Sequence, residues 1–264
     1  MEIKPSPKFD TINGLLDGGF ILAKRPYHDS LWKPAGQAIS AHKMIDDGDH
    51  LAIGVSGGKD SLTLLYVLNE MRKFSPVKFH LHAITVDMGY GISLEPIRDF
   101  CWEIGVSWSQ VHTKIAPIVF DYRKEPNPCS LCSKMRNGAL HIAAKQMGCS
   151  KIALAHSLDD AIETFFLSLF YERRIKLMQP VRYLSRRKVT VIRPLIYVRE
   201  KTIRNFSESF QLPVVKNPCP EDGKTQRQEM KELVSDLEKR FPGVRDRLLT
   251  AFQKSDPDLL WKIP

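Results

Sequence analysis

The chain has 264 residues, 43% of them hydrophobic and 26% charged, and its 39 Lys and Arg outweigh 30 Asp and Glu to leave a formal charge of +9. That length can bury a substantial core, and the composition is that of a soluble globular protein, not a disordered or fibrous one. No apolar run approaches the roughly 18 to 20 residues that span a bilayer, and "MEIKPSPKFD" lacks the apolar stretch of a signal peptide, so the expectation is a cytoplasmic protein with no membrane association.

Residues 1–33 mix Pro, Gly, aromatic and basic residues without periodicity and read as an irregular arm. A leading Pro and apolar residues at helical spacing predict a short helix over 34–45, broken by "DDGD". Next come a strand, "HLAIGV" (50–55), a helix over 61–74 and a second strand, "FHLHAITVD" (79–87). A helix over 93–105 leads to a third strand, "VSWSQV" (106–111), and then to a long helix over 132–148 closed by Gly148. A fourth strand at 150–156 precedes a helix over 159–171 with two acids in its first turn, where the dipole favours them. "KVTVIRP" (188–194) is the fifth strand, and helices over 198–210, 226–241 and 244–252 complete the set.

Strand and helix alternate through the middle of the chain. The expected fold is α/β, a parallel five-stranded sheet with helices on both faces and a C-terminal helical extension. In such a sheet ligands sit outside the carboxyl ends of the strands. Ser56–Asp60, Asp87 and His156–Asp160 all fall at such ends.

"GVSGGKDSL" (54–62) lies between a strand and a helix and has the look of a phosphate cradle. It departs from the Walker pattern, with Ile53 where the first glycine belongs and Asp60 where the metal-binding hydroxyl belongs. Gly57 and Gly58 let the backbone approach an oxyanion, and the N–H groups that open the next helix donate to it. Ser56 and Ser61 add hydroxyls and Lys59 a compact positive charge. Asp60 suits a phosphate site only with a metal ion between them. The S-G-G-K-D-S run resembles the pyrophosphate-binding loop of the ATP pyrophosphatase group. Members of that group split ATP to AMP and pyrophosphate through an adenylated substrate.

In the reducing compartment expected here, cysteines favour metal or redox roles over disulfides. Cys101 and Cys149 sit in apolar settings and read as structural thiols. Cys129 and Cys132 form a C-x-x-C, a spacing shared by zinc ribbons, iron–sulfur sites and redox pairs. Cys219, in "KNPCPEDG", would make a three-thiolate set, one ligand short of a closed tetrahedral zinc site.

Five stretches, "GQAISAHKMIDDGDHLAIGVSGGKDSLTLL", "CSLCSKMRNGAL", "GCSKIALAHSLDDAIETFFLSLFY", "VIRPLIYVREKTI" and "QRQEMKELVSDLEKRFPG", resemble, in the same order, those of the tRNA 2-thiocytidine synthetase (TtcA) family of the PP-loop ATPase superfamily. The resemblance covers residues 34 to 253. It implies an ATP-dependent tRNA sulfurtransferase that adenylates the C2 carbonyl of a pyrimidine, cytidine in the anticodon loop, and replaces the oxygen with sulfur. It also implies a [4Fe–4S] cluster on Cys129, Cys132 and Cys219, with one iron open. The cofactor-binding loop is then Ser56, Gly57, Gly58, Lys59, Asp60 and Ser61. Lys59, Asp60 and Asp160 are the catalytic candidates, with Mg²⁺ between Asp60 and the phosphates. The implied partners are tRNA, a sulfur donor (a cysteine desulfurase or free sulfide) and a second copy in a homodimer.

The matching organisation is an N-terminal arm and helix over 1–48, a PP-loop ATP-binding domain with the C-x-x-C over 49–215, and a Cys-bearing loop with helices over 216–264. Lys134 and Arg136 offer cations to AMP or tRNA, and "ERRIK" (172–176) and "SRRK" (185–188) suit a phosphate backbone. Where the family usually shows His and Arg, this chain has Ser157 and Leu158. Competing readings are thiolation of another acceptor (2-thiouridine in tRNA or a non-tRNA substrate), attachment of an amine as in lysidine synthetases, and a zinc-stabilised RNA-binding protein with a degenerate nucleotide site.

Overall fold

The computed structural model describes residues 26–124, 128–216, 218–221 and 225–254. In chain order the elements are α1 (Lys33–Ala41), β1 (Asp49–Gly54), α2 (Lys59–Met71), β2 (Phe79–Asp87), α3 (Glu95–Glu103) and β3 (Ser107–His112). Then come α4 (Pro128–Gln146), β4 (Lys151–Ala153), α5 (Leu158–Phe170), β5 (Val181–Leu184), β6 (Val189–Ile192), α6 (Glu200–Ser209), α7 (Gln226–Arg240) and α8 (Val244–Gln253).

The sheet has six strands in the order β3-β2-β1-β4-β6-β5. Five are parallel, and β5 pairs antiparallel with β6 as a hairpin. The expected count of five misses β5, because "VRYL" is short and carries an exposed Arg182 and Tyr183 without clean alternation. Edge strands are short and polar for a physical reason: a long apolar edge would invite pairing with another chain. β1 is central and buried on both faces, so Leu51, Ala52 and Ile53 form an apolar run and not an alternation.

Leu51 and Ile53 join the larger core beneath α1, α2, α3 and α6. Ala52 faces the smaller core under α4, with Ile84, Leu140 and Ile152. A third cluster of Leu158, Ile162 and Val234 fastens α7 to α5, with Leu248 and Phe252 of α8 against it. Part of the supposed irregular arm is ordered and buried. A π-helical turn at His28–Trp32 sets Trp32 edge-on to Phe206, at 6.2 Å between ring centroids, and Phe206 stacks on Phe210 at 4.2 Å. Residues 1–25 lie outside the described residues. α4 begins at Pro128, four residues earlier than the periodicity predicts, so the C-x-x-C lies in its first turn and a half. Among the described residues no helix is long and apolar enough to cross a membrane.

The strand order reverses between β1 and β4. That is the topological switch point, where the carboxyl ends of two parallel strands leave a crevice. The loop after β1 and the segment after β4 both open into it.

Candidate active site

Val55 N–H donates to Ile84 O at 2.9 Å, extending the β1–β2 pairing by one residue before the chain turns. Gly57 takes φ +85°, where L side chains are strained, and a Cβ there would meet Ile97 Cδ1 at 3.0 Å and Val215 Cβ at 3.1 Å. Its carbonyl accepts from Val215 N at 3.0 Å. The Ser61 hydroxyl donates to Gly58 O at 2.9 Å and accepts from Ser56 N at 3.1 Å, so the two serines shape the loop from within. No side chain caps α2. Its first N–H groups therefore stay available to an anion at the positive end of the helix dipole.

Lys59 Nζ donates to Asp60 Oδ2 at 2.9 Å and lies 3.0 Å from Glu200 Oε1. Glu200 opens α6 and also takes Lys231 Nζ of α7 at 2.7 Å. Burial alone would push the Glu200 carboxyl up, but hydrogen bonds and charge from Lys231 and Lys59 hold it at about 2. Burial raises Asp60, with Lys59 opposing and the charges of Asp160 and Glu200 adding to the rise. Asp60 and Asp160 thus feel each other across the β1–β4 crevice.

On the β4 side, Ser157 caps α5. Its hydroxyl accepts from Asp160 N at 3.2 Å, while Asp160 Oδ2 accepts from Ser157 N at 2.8 Å, a closed capping box. Serine at this position is therefore a structural choice that aims Asp160. Asp160 Oδ1 accepts from Arg227 Nη1 at 3.2 Å, and the same nitrogen lies 3.2 Å from Glu163 Oε2. Burial first, then the charge of Asp160, push the Glu163 carboxyl up to about 7 against the pull of Arg227. Asp159 faces the other way. It accepts from Glu200 N at 2.7 Å and from Arg245 Nε at 2.8 Å, tying α5 to α6 and α8.

These groups enclose a cleft of about 180 Å³ lined by Asp60, Asp160, Glu163, Glu200, Arg227 and Lys231, among others. It is smaller than a typical whole-ligand pocket and of a size for phosphate groups with a hydrated cation. Sequence reasoning missed Glu163, Glu200, Arg227 and Lys231 as site residues. The i, i+4 spacing of Arg227 and Lys231, which puts both on one face of α7, was the available signal.

The thiols of Cys129 and Cys132, on α4, and Cys219 act on one another. Burial leads in raising both Cys129 and Cys132, and the Cys219 charge adds to each. The Tyr90 hydroxyl, in the loop after β2, is hydrogen-bonded to the Cys219 sulfur and is raised mainly by its own burial. Three thiols and a hydroxyl thus share one neighbourhood beside the carboxyl ends of the strands. Their donor chemistry fits three-point thiolate ligation, although among the described residues no three Cys, His, Asp or Glu are drawn to metal-ligand separations. Cys101 and Cys149 are buried in the core, away from this group, and burial pushes the Cys101 thiol up to about 12.

The Arg136 charge is felt in both halves. It opposes the rise of the Cys132 thiol and also bears on His156, beyond β4, where Asp160 and Arg227 are felt as well. Arg173, Arg174, Arg182, Arg186, Arg187 and Lys188 are exposed and have no acidic partner among the described residues, whereas Lys176 lies 3.6 Å from Glu172. Arg187 reaches across to α4, where its Nη2 would be 3.8 Å from a Cβ on Gly138.

Residues 34–237 match the PP-loop domain family. A tRNA-cytidine(32) 2-sulfurtransferase of Geobacter sulfurreducens is 39% identical over 85% of this chain and 89% of its own length. The protein of the same name from Citrifermentans bemidjiense is 40% identical over 84% and 89%. Among solved structures, the U34-tRNA thiolase NcsA from Methanococcus maripaludis, described with its [4Fe-4S] cluster, superposes with a TM-score of 0.69 at 26% identity, covering 84% of this chain and 77% of that one.

Proposed function

The chain belongs to the PP-loop family and, within it, to the tRNA-cytidine(32) 2-sulfurtransferases, and from that premise we propose that it adenylates the C2 oxygen of cytidine 32 in tRNA and replaces it with sulfur. The observation that carries the reading is the nearness of the two half-sites: Asp60 and Asp160 line one cleft, and the charge of Arg136 is felt by both His156 and Cys132.

The chemistry follows from the parts. A ring carbonyl oxygen leaves poorly. When the cytosine O2 attacks the α-phosphorus of ATP, the bond to the β-phosphate oxygen breaks and pyrophosphate departs. Sulfide, supplied free or released by a thiol reductant from a desulfurase persulfide, then forms the C2–S bond and AMP leaves with the original oxygen. The open N–H groups of α2, with Ser56, Gly57 and Gly58, cradle the pyrophosphate. Lys59 exchanges Glu200 for phosphate oxygens, and Arg227 and Lys231 neutralise the charge that develops on the leaving group. Asp60 and Asp160 are the residues that would hold Mg²⁺, which would supply positive charge to offset their mutual repulsion and that of the phosphates. Cys129, Cys132 and Cys219 are the residues that would hold a [4Fe–4S] cluster, which would supply Lewis-acidic iron to carry sulfur. The unpaired arginines of 173–187 track the tRNA backbone toward this edge.

The test is anaerobic reconstitution with iron and sulfide, followed by incubation with ATP, Mg²⁺, free sulfide and unmodified tRNA. Formation of 2-thiocytidine with one AMP per base supports the reading. A reconstituted protein that binds iron yet yields AMP with no thionucleoside contradicts it.

A further inference from the structure

His156 lies three residues beyond β4, and Arg193 immediately follows the neighbouring β6. Arg193 Nε donates to His156 Nδ1 at 3.2 Å, and its Nη1 donates to Gln179 O at 2.7 Å, so the guanidinium is held on two sides. A guanidinium has only donors, so Nδ1 must present its lone pair and the proton of the neutral ring must sit on Nε2. Nε2 has no hydrogen-bond partner among the described residues, and His156 as a whole is half-buried. The ring stays uncharged because burial, then the Arg193 charge, hold the imidazole down at about 4, with Asp160 opposing and Arg227 and Arg136 adding.

The location matters as much as the proton. Asp160 and Arg227, which line the phosphate cleft, and Arg136, which also acts on Cys132, are all close enough for their charges to be felt by this ring. A base whose C2 must meet both the α-phosphate and the incoming sulfur has to enter the space between those groups. Cytosine and uracil share the C2 oxygen, but N3 of cytosine is a lone-pair acceptor whereas N3 of uracil carries a hydrogen. A donor with no means of becoming an acceptor tells the two apart on the Watson–Crick edge, where splayed-out RNA bases are read.

We propose that His156 is the specificity-determining residue that reads the target base, donating from Nε2–H to N3 of cytosine, with Arg193 as the positioning residue that locks the tautomer. This rests on the tRNA cytidine thiolation reading above. Uracil would set N–H against N–H, leaving two donors unpaired in a confined site, and pairings of this kind discriminate by roughly tenfold to a hundredfold.

The experiment uses the cluster-loaded full chain and tRNA transcripts with C or U at position 32. It measures ATP-dependent pyrophosphate release in the absence of a sulfur donor. The wild type is expected to favour C by at least tenfold. His156→Gln, whose amide can turn either a donor or an acceptor to the base, is expected to bring the ratio within about twofold. Arg193→Met keeps the ring but frees its tautomer, and is expected to do the same even if His156→Gln fails to fold. A fall on both transcripts with the ratio preserved in the folded variants would overturn the proposal, as would a wild type indifferent to C or U. A wild type releasing pyrophosphate with neither transcript would overturn the tRNA reading itself, and this inference with it.

Discussion

Glu163→Gln tests the electrostatics of the cleft in isolation from its chemistry. The Glu163 side chain is 7% exposed, and its carboxyl titrates at about 7 in the folded chain against an ordinary 4.5. Protonated, it is at ease beside Asp160; ionised, it adds a second negative charge that Arg227 only partly offsets. The raised value means that the folded state is favoured below pH 4.5 and that this advantage is lost as pH rises through 7. At about 1.4 kcal/mol for each tenfold change in proton affinity, the full loss amounts to about 3.5 kcal/mol. Glutamine keeps the shape and never ionises. Urea unfolding of both proteins at pH 5, 6, 7 and 8, without nucleotide, should show the stability of the variant relative to wild type climbing by about 2.5 kcal/mol across that range. Any constant cost of weakening the Arg227 contact shifts every point equally. A difference that does not change with pH, or that moves against the variant at pH 8, refutes the account of a confined carboxylate pair.

Cys219→Ala should remove nearly all bound iron and 2-thiocytidine formation while leaving ATP binding intact; unchanged iron content would break the three-thiol assignment. Gly57→Ala should cost about 1–3 kcal/mol for the left-handed backbone, and more for the contacts at Ile97 and Val215, with ATP affinity falling in parallel in calorimetric titration. Chelation of Mg²⁺ with EDTA should abolish pyrophosphate release, and added Mg²⁺ should restore it. Arg173→Ala and Arg187→Ala should each flatten the dependence of tRNA affinity on salt by about 0.7 to 0.9 in log–log slope if each neutralises one phosphate, and filter binding across a salt series reads this directly.

The loop and the sheet were legible because their signals are local. Paired glycines between an apolar strand and a helix, and acids at the start of α5, are written in consecutive residues. The contributors from elsewhere were not. Glu200 looks like an ordinary first-turn acid of α6, and only the fold reveals that its carboxylate bridges Lys59 and Lys231. Asp159 and Asp160 are adjacent in the sequence, yet a helix turns neighbours about 100° apart, so one braces α6 and α8 while the other faces the cleft. His156 reads as a strand-end polar residue until β6 brings Arg193 to its Nδ1. The short hairpin strand β5 escaped because a solvated edge has little reason to alternate.

The central claim is that this chain puts sulfur on cytidine 32 of tRNA. The most direct measurement is a mass-spectrometric inventory of thiolated nucleosides in bulk tRNA from the native host with and without the gene. Selective disappearance of 2-thiocytidine, restored by the wild-type gene and not by Asp60→Asn, is the predicted result. Persistence of 2-thiocytidine in the deletion would contradict the claim, and loss of a different thionucleoside in its place would keep the chemistry while refuting the base.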